Sequence, residues 1–188
     1  MYQIIDNLPI DYEFSSKTKD ELKLYGTWFK ENKEERITNL IEIVKSAEGF
    51  ENWSADFSSF SLKQLGQWLA QNVEIEKLPE EVYNKKRSET PSYIDVNDWD
   101  LTIKTRSLLV DVAIYFGEVF IKEFKNLCWE QFFSKIKKDV NNGHMIIKLE
   151  KDDINPIWLL YILGLGLADN TKDAHNLYNL FQVWEKFI

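Results

Sequence analysis

The stretch from Leu108 to Phe124 is the feature that most constrains how this chain can fold. It is almost wholly apolar, and the polar residues within and just before it recur every three or four positions along one stripe: Lys104, Ser107, Asp111, Tyr115, Glu118 and Lys122. A helix with this pattern is buried on most of its faces. We therefore expect a central helix against which the rest of the chain packs.

An internal similarity organises the N-terminal part of the chain. Leu22 to Asn32 and Leu62 to Asn72 share five identical residues at an offset of 40 positions, namely Leu, Lys, Gly, Trp and Asn. We interpret them as two similar helices, and chance similarity of two amphipathic helices is the alternative. The helical spacing of apolar residues resumes at Ile37, which also permits one long helix. We favour a break near Asn32, because asparagine can end a helix in the left-handed conformation.

The middle of the chain has the weakest signals for regular structure. Pro79 and the two glutamates after it are typical of the start of a short helix, because proline is favoured at the first helical position. The charged segment from Lys85 to Ser92 predicts a mobile loop.

The C-terminal part predicts a small hairpin followed by helices. Leu127 to Phe133 and His144 to Leu149 are rich in aromatic or β-branched residues, and Asn142-Gly143 between them favours a tight primed turn. Asn155-Pro156 is expected to open an apolar helix that runs to Ala168. Asp173 to Phe187 predicts a closing amphipathic helix.

Together these patterns predict an α+β fold that is predominantly helical, with about five to seven helices and a small antiparallel hairpin or sheet in the C-terminal half. We expect a single domain over residues 1–188. Its parts are a helical lobe (1–76), a loop-rich segment (77–103) and a helix–hairpin–helix part (104–188).

The charge balance narrows the classes of partner. The chain has 31 acidic and 23 basic residues, a formal net charge of −8. An acidic surface repels phosphate backbones and anionic lipids, so nucleic acids and membranes are disfavoured, while a basic protein partner would be attracted. The longest apolar run, Ile157 to Ala168, is shorter than the roughly 20 residues of a membrane span. The single cysteine and an N-terminus without signal-peptide features predict a cytoplasmic protein, whose oligomeric state stays open.

Residue types that carry chemistry are scarce. His144 and His175 stand apart from each other and from Cys128, so no metal site and no cofactor are predicted. We expect both histidines on the surface and Cys128 buried as a small hydrophobe. The segment Asp95 to Asp100 resembles the opening of a calcium loop, but Asp100 stands where that loop requires glycine. The seven tryptophans are expected to fill core volume.

Asp111, Tyr115 and Glu118 form the one constellation that suggests a site. They lie on one face of the predicted central helix, and paired carboxylates can act as acid and base when burial shifts their pKa values. Arg106 and Lys122 lie close enough in sequence to neutralise them, which favours structural pairing. We therefore assign these three residues as a candidate binding site and name no catalytic residue.

The sequence Tyr115-Phe116-Gly117-Glu118-Val119, followed by Trp129, the predicted hairpin and Asn155-Pro156, carries a resemblance. It resembles a module of small uncharacterised bacterial proteins, in which a helix with a Tyr-Phe-Gly-Glu-like turn leads into a strand containing tryptophan. Some of those proteins are similar to immunity proteins of bacterial toxin systems. The resemblance covers Leu108 to Pro156, about a quarter of the chain, and implies a bacterial, cytoplasmic protein that acts by binding.

Two functions follow as hypotheses. The first is a protein–protein interaction module such as an immunity or inhibitor protein, favoured by the acidic charge, the aromatic content and the lack of catalytic signatures. The alternative is an enzyme of unknown class whose site lies around Asp111, Tyr115 and Glu118.

Overall fold

The computed structural model describes residues 2–136, 138–150 and 152–188 and is built around helices. In these ranges the α-helices are α1 (Lys19–Lys45), α2 (Ser61–Asn72), α3 (Glu80–Glu89), α4 (Ile103–Glu123), α5 (Pro156–Ala168) and α6 (Asn176–Trp184). The strands are β1 (Ile75–Lys77), β2 (Trp99–Leu101), β3 (Trp129–Gln131), β4 (Met145–Lys148) and β5 (Asp153–Ile154). The structure thus confirms the predicted α+β, predominantly helical fold with small antiparallel sheets.

Helix α4 is the central element, as the sequence predicts. It begins at Thr102, whose hydroxyl accepts a hydrogen bond from the backbone N–H of Thr105 and so satisfies a free donor of the first turn. Fourteen of its 21 residues are buried. It packs most extensively against α5 and α1, and its apolar faces join one core cluster that extends from Phe14 to Phe181. A helix covered on two sides can be this apolar without exposing a hydrophobic surface.

Helix α1 runs unbroken past Asn32, so the predicted break is wrong. The side chain of Asn32 donates to the carbonyl oxygen of Trp28 at 2.8 Å, and Asn72 makes the same 2.8 Å contact with Trp68 at the end of α2. The two similar segments therefore share a local contact, yet only α2 ends there. Helix α1 continues because its next apolar residues, such as Leu40, are buried in the core.

The segment 77–103 contains more regular structure than the sequence predicts. Helix α3 includes most of the predicted loop from Lys85 to Ser92, and β1 pairs antiparallel with β2 at its base. None of the residues of α3 is buried, so local effects must stabilise it. Glu80 and Glu81 lie at its positive N-terminal end and Lys86 and Arg87 at its negative C-terminal end, which complements the helix dipole.

The predicted hairpin is confirmed as an antiparallel pair of β3 and β4, but the prediction of a tight turn between them is wrong. Residues 132–136 and 138–144 connect the strands, so no two-residue turn joins them. The backbone N–H of Gly143 instead donates to the carbonyl of Phe132 at 2.7 Å, with Gly143 at φ +84°. A side chain here would also overlap Leu22 of α1. Strand β5, which the sequence did not predict, pairs with the other edge of β4.

The last two helices follow the sequence signals at their starts. The side chain of Asn155 accepts a hydrogen bond from the backbone N–H of Trp158, and Pro156 occupies the first turn of α5, as predicted. The closing helix is shorter than expected, because α6 begins at Asn176 and a 3₁₀ turn follows it. No helix in the described ranges combines the length and the apolar character that crossing a membrane requires.

Gly117 lets the sheet approach the central helix. A Cβ atom at this position would overlap the indole ring of Trp129 in β3, so only glycine allows this ring to lie against α4. Gly166 in α5 differs, because a Cβ atom there would meet the side chain of Lys172, which is exposed.

We therefore predict effects of different size for two helical glycines. Gly117→Ala should lower the free energy of unfolding by about 1–3 kcal/mol, because the Trp129 ring must shift. Gly166→Ala should cost less, because rotation of the Lys172 side chain moves Cγ away, its Cβ at 3.2 Å needs only a small shift, and alanine favours the helix by about 1 kcal/mol. Urea denaturation of both variants checks this. Equal losses would show that the contact between Gly117 and Trp129 is not tight.

Candidate functional site

Asp111 lies fully buried in the middle of α4 and is paired with Arg36 of α1. The Arg36 guanidinium donates to both carboxylate oxygens, through Nε to Oδ1 and through Nη2 to Oδ2, each at 2.7 Å. The Tyr2 hydroxyl donates to Oδ2 at 2.5 Å and accepts from Arg36 Nη2 at 2.8 Å. Burial raises the pKa of Asp111 to about 6, and Arg36 opposes that rise. The bidentate pair offsets the cost of burying this charge.

The prediction that Arg106 neutralises Asp111 is wrong. Arg106 instead forms an ion pair with Asp100 at 2.9 Å and donates to the carbonyl of Leu101 at 3.1 Å. Arg36 was not predicted because it lies 75 positions from Asp111 in the sequence.

Glu118 forms a second ion pair between α4 and α1. Its Oε1 accepts from Lys33 Nζ at 2.6 Å and from the indole N–H of Trp129 at 2.8 Å, and its side chain is 20% exposed. The predicted partner Lys122 donates instead to the backbone carbonyl of Asp56. Lys33 and Arg36 lie one helical turn apart on α1, so the two carboxylates of the stripe bind one face of that helix.

Tyr115 lies between the two carboxylates in sequence but faces another neighbour. Its hydroxyl is 2.8 Å from the Ser61 hydroxyl and accepts from the backbone N–H of Phe57 at 3.1 Å. The ring stacks on Phe57, whose φ is +56°, and contacts Trp53. Tyr115 thus holds the loop that leads into α2. The structure does not bring Asp111, Tyr115 and Glu118 together around one cavity.

The structure places the other candidate residues as follows. His175 is exposed just before α6, as expected, but Cys128 is exposed just before β3, so its predicted burial is wrong. In the part of the chain that the structure describes, no three His, Cys, Asp or Glu side chains are grouped so that they could hold a metal ion.

A cleft of about 380 Å³ is a stronger candidate site than the stripe. It lies between α4, α5 and the N-terminal strap, which we define as residues 2–13, a segment without helix or strand. Its lining comprises Ile5, Leu8, Tyr12, Ile103, Arg106, Ser107, Leu109, Val110, His144, Ile157, Trp158 and Tyr161. A mostly apolar cleft of this size with a few polar groups is the usual form of a ligand site.

Several hydrogen bonds hold the strap over α4 and α1, among them one from Arg36 Nη2 to the carbonyl of Gln3 at 2.9 Å. Tyr2 joins the Asp111 pair, and the backbone N–H of Ile5 donates to Ser107 Oγ at 3.0 Å. The side chain of Asn7 accepts from the indole N–H of Trp28 at 2.9 Å. The role of the strap as one wall of a cleft was not predicted.

His144 is partly buried in the cleft wall, so its predicted surface position is wrong. Its ring packs on Phe14 and near Tyr25, with centroids 4.5 and 6.5 Å away. Nδ1 is buried and has no hydrogen-bond partner among the described residues, and the same holds for the Tyr25 hydroxyl. Burial lowers the pKa of His144 to about 4, so the ring is neutral at pH 7.

Apolar side chains at the edge of the cleft are exposed. Ile103 is 63% exposed, and Trp158 and Tyr12 are each 42% exposed. Trp158 thus departs from the expectation that each tryptophan fills core volume. Exposed apolar residues that border a cavity are typical of a binding surface.

Comparisons with protein-family models, with curated proteins and with solved structures find no match to this chain. The assignment of the candidate site therefore depends on the geometry of this structure alone.

We predict unequal effects for the two carboxylates of the stripe. Asp111→Asn should lower the free energy of unfolding by about 3–5 kcal/mol, because it leaves the Arg36 charge buried without its counter-charge. Glu118→Gln should cost only about 1 kcal/mol, because the amide oxygen still accepts from Trp129 and Lys33 can reach water. Urea denaturation at pH 7 measures both. A loss for Asp111→Asn no larger than that for Glu118→Gln would contradict the structural role of the buried pair.

We also predict a pH-dependent stability from His144. Its folded pKa of about 4 lies below the unfolded value of 6.5. As the pH falls from 6.5 to 4, the unfolded chain binds a proton at His144 that the folded chain does not, so the contribution of His144 to stability decreases. The loss approaches about 3 kcal/mol near pH 4 and is absent above pH 6.5.

His144→Phe keeps a ring against Phe14 and should remove this loss, so its stability advantage over wild type should grow as the pH falls from 6.5 to 4. His175→Gln is the control, since His175 is exposed and should leave the pH dependence unchanged. Thermal unfolding across this range tests both. Parallel wild-type and His144→Phe curves would contradict the burial of a neutral imidazole.

Proposed function

We propose that this chain is a bacterial, cytoplasmic protein–protein interaction module of the immunity or inhibitor type, which binds a basic partner protein. The observation that carries the proposal is the cleft with its exposed apolar edge at Tyr12, Ile103 and Trp158. An apolar anchor side chain from a partner, inserted into such a cleft, is the usual centre of a protein interface.

The charge of the strap supports a basic partner. Asp6, Asp11 and Glu13 are exposed on it, and residues 2–14 contain no lysine or arginine, although Asp11 is paired with Lys17 at 2.8 Å. With a net charge of −8, the chain attracts basic proteins over a distance and speeds their association. The acidic strap and the apolar cleft lie side by side, so one partner can contact both.

The geometry gives less support to the enzyme alternative. Asp111 and Glu118 are each held in an ion pair, and the Tyr115 hydroxyl is held by the loop before α2. None of the three lines the cleft. A general acid or base must reach a substrate proton, and these groups point at other parts of the fold instead.

Selection from a library of random peptides tests the proposal. Bound peptides should be basic and should contain a large apolar residue. Trp158→Ala should weaken their binding at least tenfold with little loss of stability, because the ring is half exposed. Tyr93→Ala is the matched control, since Tyr93 is 86% exposed and does not line the cleft. Selected peptides that are acidic, or that bind Trp158→Ala normally, would overturn the proposal.

A growth assay tests the immunity form of the proposal. Expression of the product of the neighbouring gene should arrest growth, and co-expression of this chain should restore it. Trp158→Ala should restore growth poorly and Tyr93→Ala should restore it fully. A neighbouring product without toxicity, or equal rescue by the two variants, would count against the immunity role.

A further inference from the structure

We infer that the anchor which enters the cleft is an aromatic side chain with a polar hydrogen, namely a tyrosine or tryptophan of the basic partner. The inference rests on the proposed function and names the chemistry of its site. Three properties of the cleft carry it: aromatic walls, a partly buried histidine whose side chain makes no hydrogen bond within the described residues, and acidic residues on the strap.

The walls of the cleft suit a flat ring. Tyr12 lies on the strap side, and Trp158 and Tyr161 lie on α5 with ring centroids 5.9 Å apart. Aromatic rings attract one another in offset or edge-to-face arrangements, beyond the gain from the burial of their area. An aliphatic anchor would gain the free energy of burial but not this attraction between rings.

Three polar side chains that line the cleft differ in whether they already make hydrogen bonds or ion pairs within the protein. Ser107 Oγ accepts from the strap at Ile5, and Arg106 is paired with Asp100 and with the carbonyl of Leu101. His144 alone among the three makes no side-chain hydrogen bond to another described residue: Nδ1 is buried without a partner, and Nε2, which is not fully buried, has none either. A neutral imidazole accepts one hydrogen bond. A phenol or indole in the cleft can donate to Nε2 of this ring, which an aliphatic or phenyl side chain cannot do.

The surroundings match an anchor on a polypeptide. The cleft opens between the exposed side chains of Tyr12, Ile103 and Trp158, so a ring attached to a backbone can enter from the surface. Asp6 is exposed on the strap that forms one wall of the cleft, so its carboxylate can attract lysine or arginine residues that flank the ring.

Three blocked pentapeptides test the inference: acetyl-Lys-Lys-Tyr-Lys-Lys-amide and its analogues with phenylalanine or alanine at the centre. Binding to the whole chain at neutral pH is followed by the NMR signal of the Trp158 indole N–H. The tyrosine peptide should bind about fivefold more tightly than the phenylalanine peptide, because only tyrosine donates to His144. The alanine peptide should bind most weakly.

The variant His144→Phe distinguishes the inference about the aromatic anchor from the proposal that the cleft binds a partner. In this variant the tyrosine and phenylalanine peptides should bind equally, while Tyr93→Ala should keep the wild-type preference. Equal binding of the two aromatic peptides to wild type, or a preference that survives in His144→Phe, overturns the inference and leaves the apolar cleft as the binding site. If the alanine peptide binds as well as the others, the cleft itself is not the site and both proposals fail.

Discussion

The buried ion pair between Arg36 and Asp111 is the interaction on which the rest of the structure depends. A carboxylate in the middle of an apolar helix is expensive to bury, and α4 tolerates it because the guanidinium covers both oxygens. This requirement fixes the position of α1 against α4. The Tyr2 hydroxyl completes the pair and draws the strap onto the same side of the molecule. The strap then lies next to Ser107, one helical turn before Asp111, and forms one wall of the cleft.

The cleft follows from the irregular conformation of the strap. A helix packed on α4 and α5 would fill the groove between them with closely spaced side chains. An extended segment contacts its neighbours through side chains spaced further apart, here Ile5, Leu8 and Tyr12, and leaves space between them. Asp111, Tyr115 and Glu118 thus differ in role from the cleft. These three residues hold the fold together, whereas the binding surface that we propose uses segments that lie far apart in the sequence.

Local signals account for most of what could be predicted. The apolar α4, the Asn155-Pro156 start of α5 and the antiparallel strands are encoded by residues that lie close together in the sequence, and these predictions are confirmed. The failures have a common cause. Asparagine at position 32 is compatible with a helix end, but burial of the following apolar residues outweighs it. The partners of Asp111 and Glu118 lie 75 and 85 positions away, and a sequence pattern cannot show which distant cation fills such a role.

The sequence by itself determined the class of fold, the central helix and the acidic character of the surface, because periodicity, capping and charge are local or additive properties. Only the tertiary structure decided that Asp111, Tyr115 and Glu118 face three different neighbours, and that His144 lies in the wall of a cleft. The physical reason is that burial and pairing depend on which segments meet in space. A histidine beside a turn is exposed or buried according to what packs on it, and here Phe14 and Tyr25 do so.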